Sequence, residues 1–132
     1  MEPHSPDKLL KDIRLGLLRL HKTLLDWERA QYEHAYGPVR SSGDMLQLVL
    51  GHDQFAWLRS YSGLIVRIDE WLVSDQPSRQ DAEAFWDEAG KLTTPAEEED
   101  SPQGRYREAI DASPEAAMAH ASIRDALGDT GY

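Results

Sequence analysis

The chain has 132 residues, about the size of one domain, and carries a net charge of −10. It contains no cysteine, which excludes disulfides, thiol catalysis, zinc ribbons and cysteine-ligated iron–sulfur clusters. No apolar run approaches the roughly 20 residues that a membrane helix needs. Lys8, Lys11 and Arg14 fall where a signal peptide would need apolar residues. We therefore expect a soluble, cytoplasmic protein.

The charge is divided unevenly along the chain. Residues 1–60 contain eight basic and eight acidic residues, whereas residues 61–132 contain six basic and sixteen acidic ones, so the whole net charge lies in the second part. Binding to a phosphate backbone or an anionic membrane requires clustered Lys and Arg. We therefore expect neither nucleic acid nor a membrane as a partner. A protein partner, for which a basic surface would be complementary, is the expected class.

The first predicted helix starts at Ser5-Pro6 and ends at Gly37-Pro38. Serine caps free backbone N–H groups and proline suits the first helical turn, whereas glycine and proline end helices. Between these signals, apolar residues recur at alternating spacings of three and four, which is typical of a long helix packed along its length. The stripe consists of Leu10, Ile13, Leu17, Leu20, Leu24 and Trp27.

Three further helices are predicted in the middle of the chain. A short helix covers 44–50, and a third helix covers 53–74 with its first residue, Asp53, as the cap. Ser78 resembles the start of a capping box and begins a fourth helix, which ends before Pro95.

The last part of the chain begins with an acidic segment, residues 95–104, that has little to bury and that we expect to be a mobile loop. Two serine–proline pairs repeat the start signal of the first helix and predict a short fifth helix and a last helix. These pairs are Ser101-Pro102 and Ser113-Pro114. Residues 128–132 are expected to form a frayed tail.

No segment alternates apolar and polar residues as a half-buried strand would. The sequence therefore predicts an all-α fold, an irregular bundle of four main helices plus one or two short helices with a long N-terminal helix, in a single domain over 1–132. The four tryptophans lie on predicted apolar faces, and we expect them to share one core. They are Trp27, Trp57, Trp71 and Trp86.

Motifs for common cofactors and catalytic sites are absent from the sequence. It has no Glu-x-x-His for a di-iron site, no His-Glu-x-x-His zinc motif, no glycine-rich phosphate loop and no Gly-x-Ser-x-Gly nucleophile elbow. We therefore predict no cofactor, no metal and no catalytic residue. A metal or small-molecule site built inside the bundle from distant residues is an alternative, for example from His21, Glu28 and Asp69.

One short motif points to an enzyme. Arg29 and His34 are separated by four residues, and this spacing resembles the catalytic motif of HEPN-type ribonucleases, which are small helical bundles. The resemblance covers six residues. It implies a ribonuclease in which Arg29 and His34 face the RNA phosphate across a dimer interface.

A second group of polar-tipped side chains lies near the chain breaks between the first two helices, where a binding cleft could form. These residues are Tyr32, His34, Tyr36, Arg40, His52 and Asp53. Without a catalytic constellation, the leading hypothesis is a non-enzymatic protein that acts through protein contacts. It would be an adaptor, an immunity-type binder or a homo-oligomeric module such as a homodimer. The ribonuclease and the ligand or metal site inside the bundle are the alternatives.

Overall fold

The computed structural model describes residues 6–98 and 101–128, and these residues contain helices and no strand. The helices are α1 Pro6–Tyr36, α2 Ser42–Gly51, α3 Arg59–Val73, α4 Arg79–Leu92, α5 Pro102–Ala112 and α6 Pro114–Ala126, with a 3₁₀ segment at Asp53–Leu58. The predicted all-α bundle with a long N-terminal helix is confirmed. Within the described ranges, no helix combines the length and the apolar character needed to cross a membrane.

The helix α1 is the spine of the bundle, because it contacts α3, α4, α5, α6 and the 3₁₀ segment. Its predicted stripe is buried from Leu10 to Leu24, whereas its last member, Trp27, is only half-buried, and the next fully buried side chain is the carboxylate of Glu28. Gly16 allows α6 to approach closely, since a Cβ atom there would lie 3.1 Å from Ile123 Cγ1. The core therefore lies along one face of α1, covered by the later helices.

Serine caps start most of the helices. The side-chain oxygen accepts a hydrogen bond from the backbone N–H three residues later at the starts of α2, α4, α5 and α6. The four caps are Ser41, Ser78, Ser101 and Ser113. The last three are predicted from sequence and are confirmed, whereas the predicted cap Ser5 lies outside the described residues.

The predicted third helix differs from the structure at its start. Residues 53–58 form a 3₁₀ segment before α3 begins at Arg59. Asp53 does not cap the 3₁₀ segment, so the prediction that Asp53 is the capping residue is wrong. The capping residue is His52, whose Nδ1 accepts a hydrogen bond of 3.1 Å from the backbone N–H of Gln54. The N-terminal cap is therefore the imidazole of His52 and not the carboxylate of Asp53.

The acidic loop is shorter than the predicted range 95–104, because α5 begins at Pro102. Before residue 99 the chain is tied to α5: the backbone N–H of Ala96 donates to Gln103 O at 3.2 Å. Gly104 permits this close packing, since a Cβ atom there would collide with Glu98 O. Of the predicted tail 128–132, residues 129–132 lie outside the described residues.

The four tryptophans do not share the core equally. Trp71 is buried, and Trp27 and Trp57 are half-buried against the core, but Trp86 is 41% exposed. The prediction for Trp86 is therefore wrong. Phe85, one position earlier on α4, packs against the core instead, because adjacent helical residues point about 100° apart.

This difference can be measured. Trp71→Ala should lower the free energy of unfolding by about 3–5 kcal/mol, because a large buried ring is lost along with the hydrogen bond from Trp71 Nε1 to Ser78 O. Trp86→Ala should lower it by less than about 1 kcal/mol. Urea unfolding followed by circular dichroism gives both values, and equal losses for the two variants would contradict the assignment of the core.

Candidate functional site

An open cleft of about 550 Å³ lies between the C-terminal end of α1, the loop at residues 37–41 and α2, and we call it the α1–α2 cleft. Its lining residues are Tyr32, Tyr36, Gly37, Pro38, Val39, Arg40, Asp44, Gln47, Leu48, Gly51 and His52. The structure brings together four of the six residues predicted to bind. The turn that creates the cleft depends on Gly37, whose φ of +96° is in the region that favours glycine.

The wall of the cleft is aromatic. Tyr32 and Tyr36 are four residues apart on α1, so they lie on the same face, and their ring centroids are 4.9 Å apart. The ring of His52 meets Tyr32 edge-on at 5.4 Å. Phe55, which is fully buried, lies behind them at 6.1 Å from Tyr32. The rings are therefore anchored in the core at one end and open to solvent at the other.

His52 has a fixed place in this wall. Its backbone N–H donates to Leu48 O at 2.9 Å and closes α2, while its Nδ1 accepts from Gln54 N–H and opens the 3₁₀ segment. A ring nitrogen that accepts a hydrogen bond carries no proton, so the neutral ring carries its proton on Nε2. His52 therefore presents an N–H donor on a ring that lines the cleft.

Three other polar groups of the cleft have no partner within the described part of the chain. The hydroxyl groups of Tyr32 and Tyr36 make no hydrogen bond there, and the Arg40 guanidinium makes neither a hydrogen bond nor an ion pair. Asp44 is the one carboxylate among the lining residues. The cleft thus offers several donors that the described chain does not use.

The other two predicted binding residues lie outside this cleft. His34 is exposed, and two positions after Tyr32 its side chain points to the opposite side of α1, about 200° around the helix axis. Asp53 lies at a separate recess of about 520 Å³ that is also lined by Trp57, Ser101 and Arg105.

Arg29 holds the loop that forms the cleft. Its Nε lies 3.7 Å from Glu33 Oε2, and its Nη2 donates to Val39 O at 3.4 Å. The same Glu33 oxygen accepts from the backbone N–H of Val39 at 2.7 Å. His34, five positions after Arg29 on a continuous helix, points about 140° away from it. The ribonuclease hypothesis for Arg29 and His34 stays a prediction.

The carboxylate of Glu28 accepts four hydrogen bonds, and no sequence motif links it to the residues that donate them. Glu28 is fully buried, and its two oxygens accept hydrogen bonds from Gln54, Trp57 and Arg105. Oε1 accepts from Trp57 Nε1 at 2.9 Å and from Arg105 Nε at 3.0 Å. Oε2 accepts from Gln54 Nε2 at 3.0 Å and from Arg105 Nη2 at 2.6 Å. We call these four residues the Glu28 network. Its sequence signal is a carboxylate four positions after Leu24, where the apolar stripe continues.

Arg105 is held from three sides. Besides its paired bonds to Glu28, its Nη1 donates to Glu108 at 2.7 Å, and its guanidinium lies 4.5 Å from the centroid of the Trp27 ring. The hydrogen bond to Glu28 raises the pKa of Arg105, against the opposite effect of its partial burial. All of its nitrogens are engaged, so this arginine links α5 to α1.

Two of the three residues suggested for a metal are engaged elsewhere. Glu28 is saturated by the donors just described, and Asp69 pairs with Arg14. Among residues 6–98 and 101–128, no three His, Asp or Glu side chains are grouped so that they could hold a metal ion. The set His21, Glu28 and Asp69 is therefore not assembled in this part of the chain.

Polar contacts also cross the middle of the bundle. The Tyr61 hydroxyl donates to Leu92 O at 2.7 Å, and the Tyr106 hydroxyl lies 2.5 Å from His120 Nδ1. The two tyrosine rings stack with their centroids 6.1 Å apart. Burial raises the pKa of both hydroxyls, so they stay neutral. These two tyrosines are therefore neutral, buried polar residues of the core.

The Glu28 network predicts a large stability effect. Glu28→Gln removes the buried charge that Arg105 faces and replaces one acceptor oxygen with an N–H group among donors, so it should lower the free energy of unfolding by about 3 kcal/mol. Glu108→Gln is the matched control, since this partly exposed partner should cost less than about 1 kcal/mol. Denaturant unfolding measures both. A Glu28→Gln variant as stable as the Glu108→Gln variant would contradict the role of the network.

His21 predicts a pH effect on stability. Burial lowers the pKa of its imidazole below the ordinary 6.5, so between these two values the unfolded chain binds a proton that the folded one does not. The contribution of neutral His21 to the free energy of unfolding is therefore complete above pH 6.5, and it is lost as the pH falls toward the pKa of the folded state. Relative to His21→Gln, the wild type should lose stability as the pH is lowered from 7.5 to 5 in urea titrations. A constant difference would contradict this, and His34→Gln controls for the loss of an exposed histidine.

No protein-family model, no curated protein and no solved structure matches this chain. The resemblance to HEPN-type ribonucleases therefore rests on Arg29 and His34 alone, and the function has to be inferred from the geometry of the cleft.

Proposed function

We propose that this protein is a binding module rather than an enzyme, and that it recognises a protein partner through the α1–α2 cleft and the outer side of α2. We call the exposed part of this region the α2 surface, formed by Tyr36, Leu46 and Leu50. Whether the partner is another protein or a second copy of the chain is an outcome of the experiment below. The proposed location is the cytoplasm, since a chain without cysteine suits a reducing compartment.

The observation that carries the proposal is the apolar exposure of α2. This helix contributes no fully buried residue, and Leu46 and Leu50 are 57% and 67% exposed. They are four residues apart and so share one face of the helix. Tyr36, at the mouth of the cleft, is 68% exposed. Covering each leucine would contribute about 1.5–3 kcal/mol at most to the association.

The chemistry of the cleft supports binding rather than catalysis. Its lining residues include one imidazole, on His52, and one carboxylate, on Asp44, but no serine, threonine, cysteine or lysine. Tyrosine and arginine, which do line it, are the residue types enriched at protein interfaces, with Tyr, Trp and Arg dominating the hot spots. The half-open shape suits a protruding segment of a partner.

The acidic second part of the chain favours a partner with a basic surface. The net charge of −10 lies in residues 61–132, none of which lines the cleft, and the lining itself has one arginine and one aspartate. A basic region elsewhere on the partner would be steered by this charge and would raise the association rate more than the final affinity. The basic character of the partner is part of the proposal.

The proposal is tested by site-specific photo-cross-linking in cells that express the protein. A benzophenone side chain is placed at Leu46 or Leu50, and as matched controls at Val73, which is 82% exposed, and at Met118, which is also exposed. We expect adducts to one defined protein from the two α2 positions and none from the controls. Adducts at Val73 or Met118 alone, or no adduct at any of the four, would overturn the proposal.

The identity of the cross-linked protein shows whether the module forms a homo-oligomer or binds a different protein. A peptide of the same chain would identify a homo-oligomer, and light scattering of the pure protein should then show a dimer that Leu46→Asp with Leu50→Asp dissociates. A different protein would identify a heteromeric complex, and the same double substitution should weaken its binding by tenfold or more. Val73→Asp is the control and should leave the affinity unchanged.

A further inference from the structure

The donors of the α1–α2 cleft identify the chemistry of the group that enters it. We propose that the cleft receives a carboxylate side chain of the partner, an aspartate or glutamate that follows an apolar residue in an extended segment. This inference rests on the function proposed above and names the partner group that the same site would recognise.

Arg40 differs from the arginines of the other openings. Arg105 is bonded to Glu28, Arg67 pairs with Glu88, and Arg124 donates to Gly90 O at 3.2 Å, although each lines a recess. Arg40, of the four, has no partner among residues 6–98 and 101–128. A guanidinium with five N–H donors is the group best suited to a carboxylate, because it binds both oxygens at once.

Three other residues that line the cleft carry donors as well. His52 presents Nε2–H, because its Nδ1 is used as the cap of the 3₁₀ segment. The hydroxyl groups of Tyr32 and Tyr36 are unpartnered within the described residues. The cleft therefore combines one cation and three neutral donors among its lining residues, and the described chain supplies no acceptor for Arg40 or for the two tyrosine hydroxyls.

The one opposing charge in the cleft is Asp44. It lies in the first turn of α2, where the positive end of the helix dipole offsets a carboxylate. Its backbone N–H is occupied by Ser41 Oγ at 3.0 Å. The rings of Tyr32 and Tyr36 supply the apolar part of the wall. Together these features select a carboxylate with an apolar neighbour rather than a bare anion.

The test uses nuclear magnetic resonance titration of the ¹⁵N-labelled full chain with defined probes. The first is the capped dipeptide N-acetyl-phenylalanyl-glutamate amide, and the second is its glutamine counterpart. We expect the glutamate probe to shift the backbone amides of Gly37, Gly51 and Gln54, and to bind about tenfold or more tightly than the glutamine probe, since a charge-assisted hydrogen bond supplies that difference.

Variants connect the binding to the cleft. Arg40→Gln should weaken the glutamate probe by about tenfold or more and leave the glutamine probe unchanged. Because Arg40 is exposed and unpartnered in the described chain, this variant should fold as the wild type does, which its own spectrum checks. Arg19→Gln, at an exposed arginine of α1, is the matched control and should leave both probes unchanged.

Two further probes separate the sources of a carboxylate. If phenylacetate binds as tightly as the glutamate dipeptide, the occupant is a small free acid and the assignment to a partner segment is overturned. If N-acetyl-phenylalanine, with its free C-terminal carboxylate, binds more tightly, the assignment to a side chain is overturned. Equal binding of the glutamate and glutamine probes, or no shift at millimolar concentration, overturns the carboxylate altogether. Cross-linking at Leu46 would still decide the proposed function, so the two failures are distinguishable.

Discussion

One buried charge organises this bundle. The buried face of α1 continues past Leu24 to position 28, where the residue is a glutamate with no contact to water. A carboxylate in that place is stable only if both oxygens are fully bonded. Arg105 and Trp57 meet this demand together with Gln54, and they reach Glu28 from α5 and the 3₁₀ segment. The positions of these two elements are therefore set by the requirement to neutralise a single side chain.

The candidate site is a consequence of this arrangement. Beyond Glu28, the last two turns of α1 carry Tyr32, which packs against the core, and Tyr36, which is mostly exposed. The 3₁₀ segment that is pinned to Glu28 brings His52 against the same two rings. The loop held by Arg29 and Glu33 then turns back into α2. The same contacts that stabilise the core thus leave an open, donor-rich cleft between α1 and α2, and this cleft is the basis of the function that we propose.

Local signals in the sequence determined most of the secondary structure. Spacings of three and four predict which face of each helix is buried, and Ser78, Ser101 and Ser113 mark the starts of three helices, because capping needs only residues close in the chain. Gly37 likewise marks the end of α1. For the site, nearness in sequence to the break between the first two helices was sufficient to predict that Tyr36 and its neighbours border a cleft.

The tertiary structure alone decided what those local signals leave open. Glu28 and Arg105 are 77 residues apart, and nothing in either neighbourhood indicates the other. Phe85 and Trp86 are adjacent, and both fit an apolar spacing of three or four residues on α4. Which of the two enters the core depends on how α4 is rotated against α3, and the sequence pattern does not determine this rotation. The position of His34 in the sequence predicts that it borders the cleft, but the helical rotation of about 200° from Tyr32 turns its side chain to the opposite side of α1. Periodicity encodes which side of a helix is buried, whereas pairing between distant side chains is decided only when the helices pack.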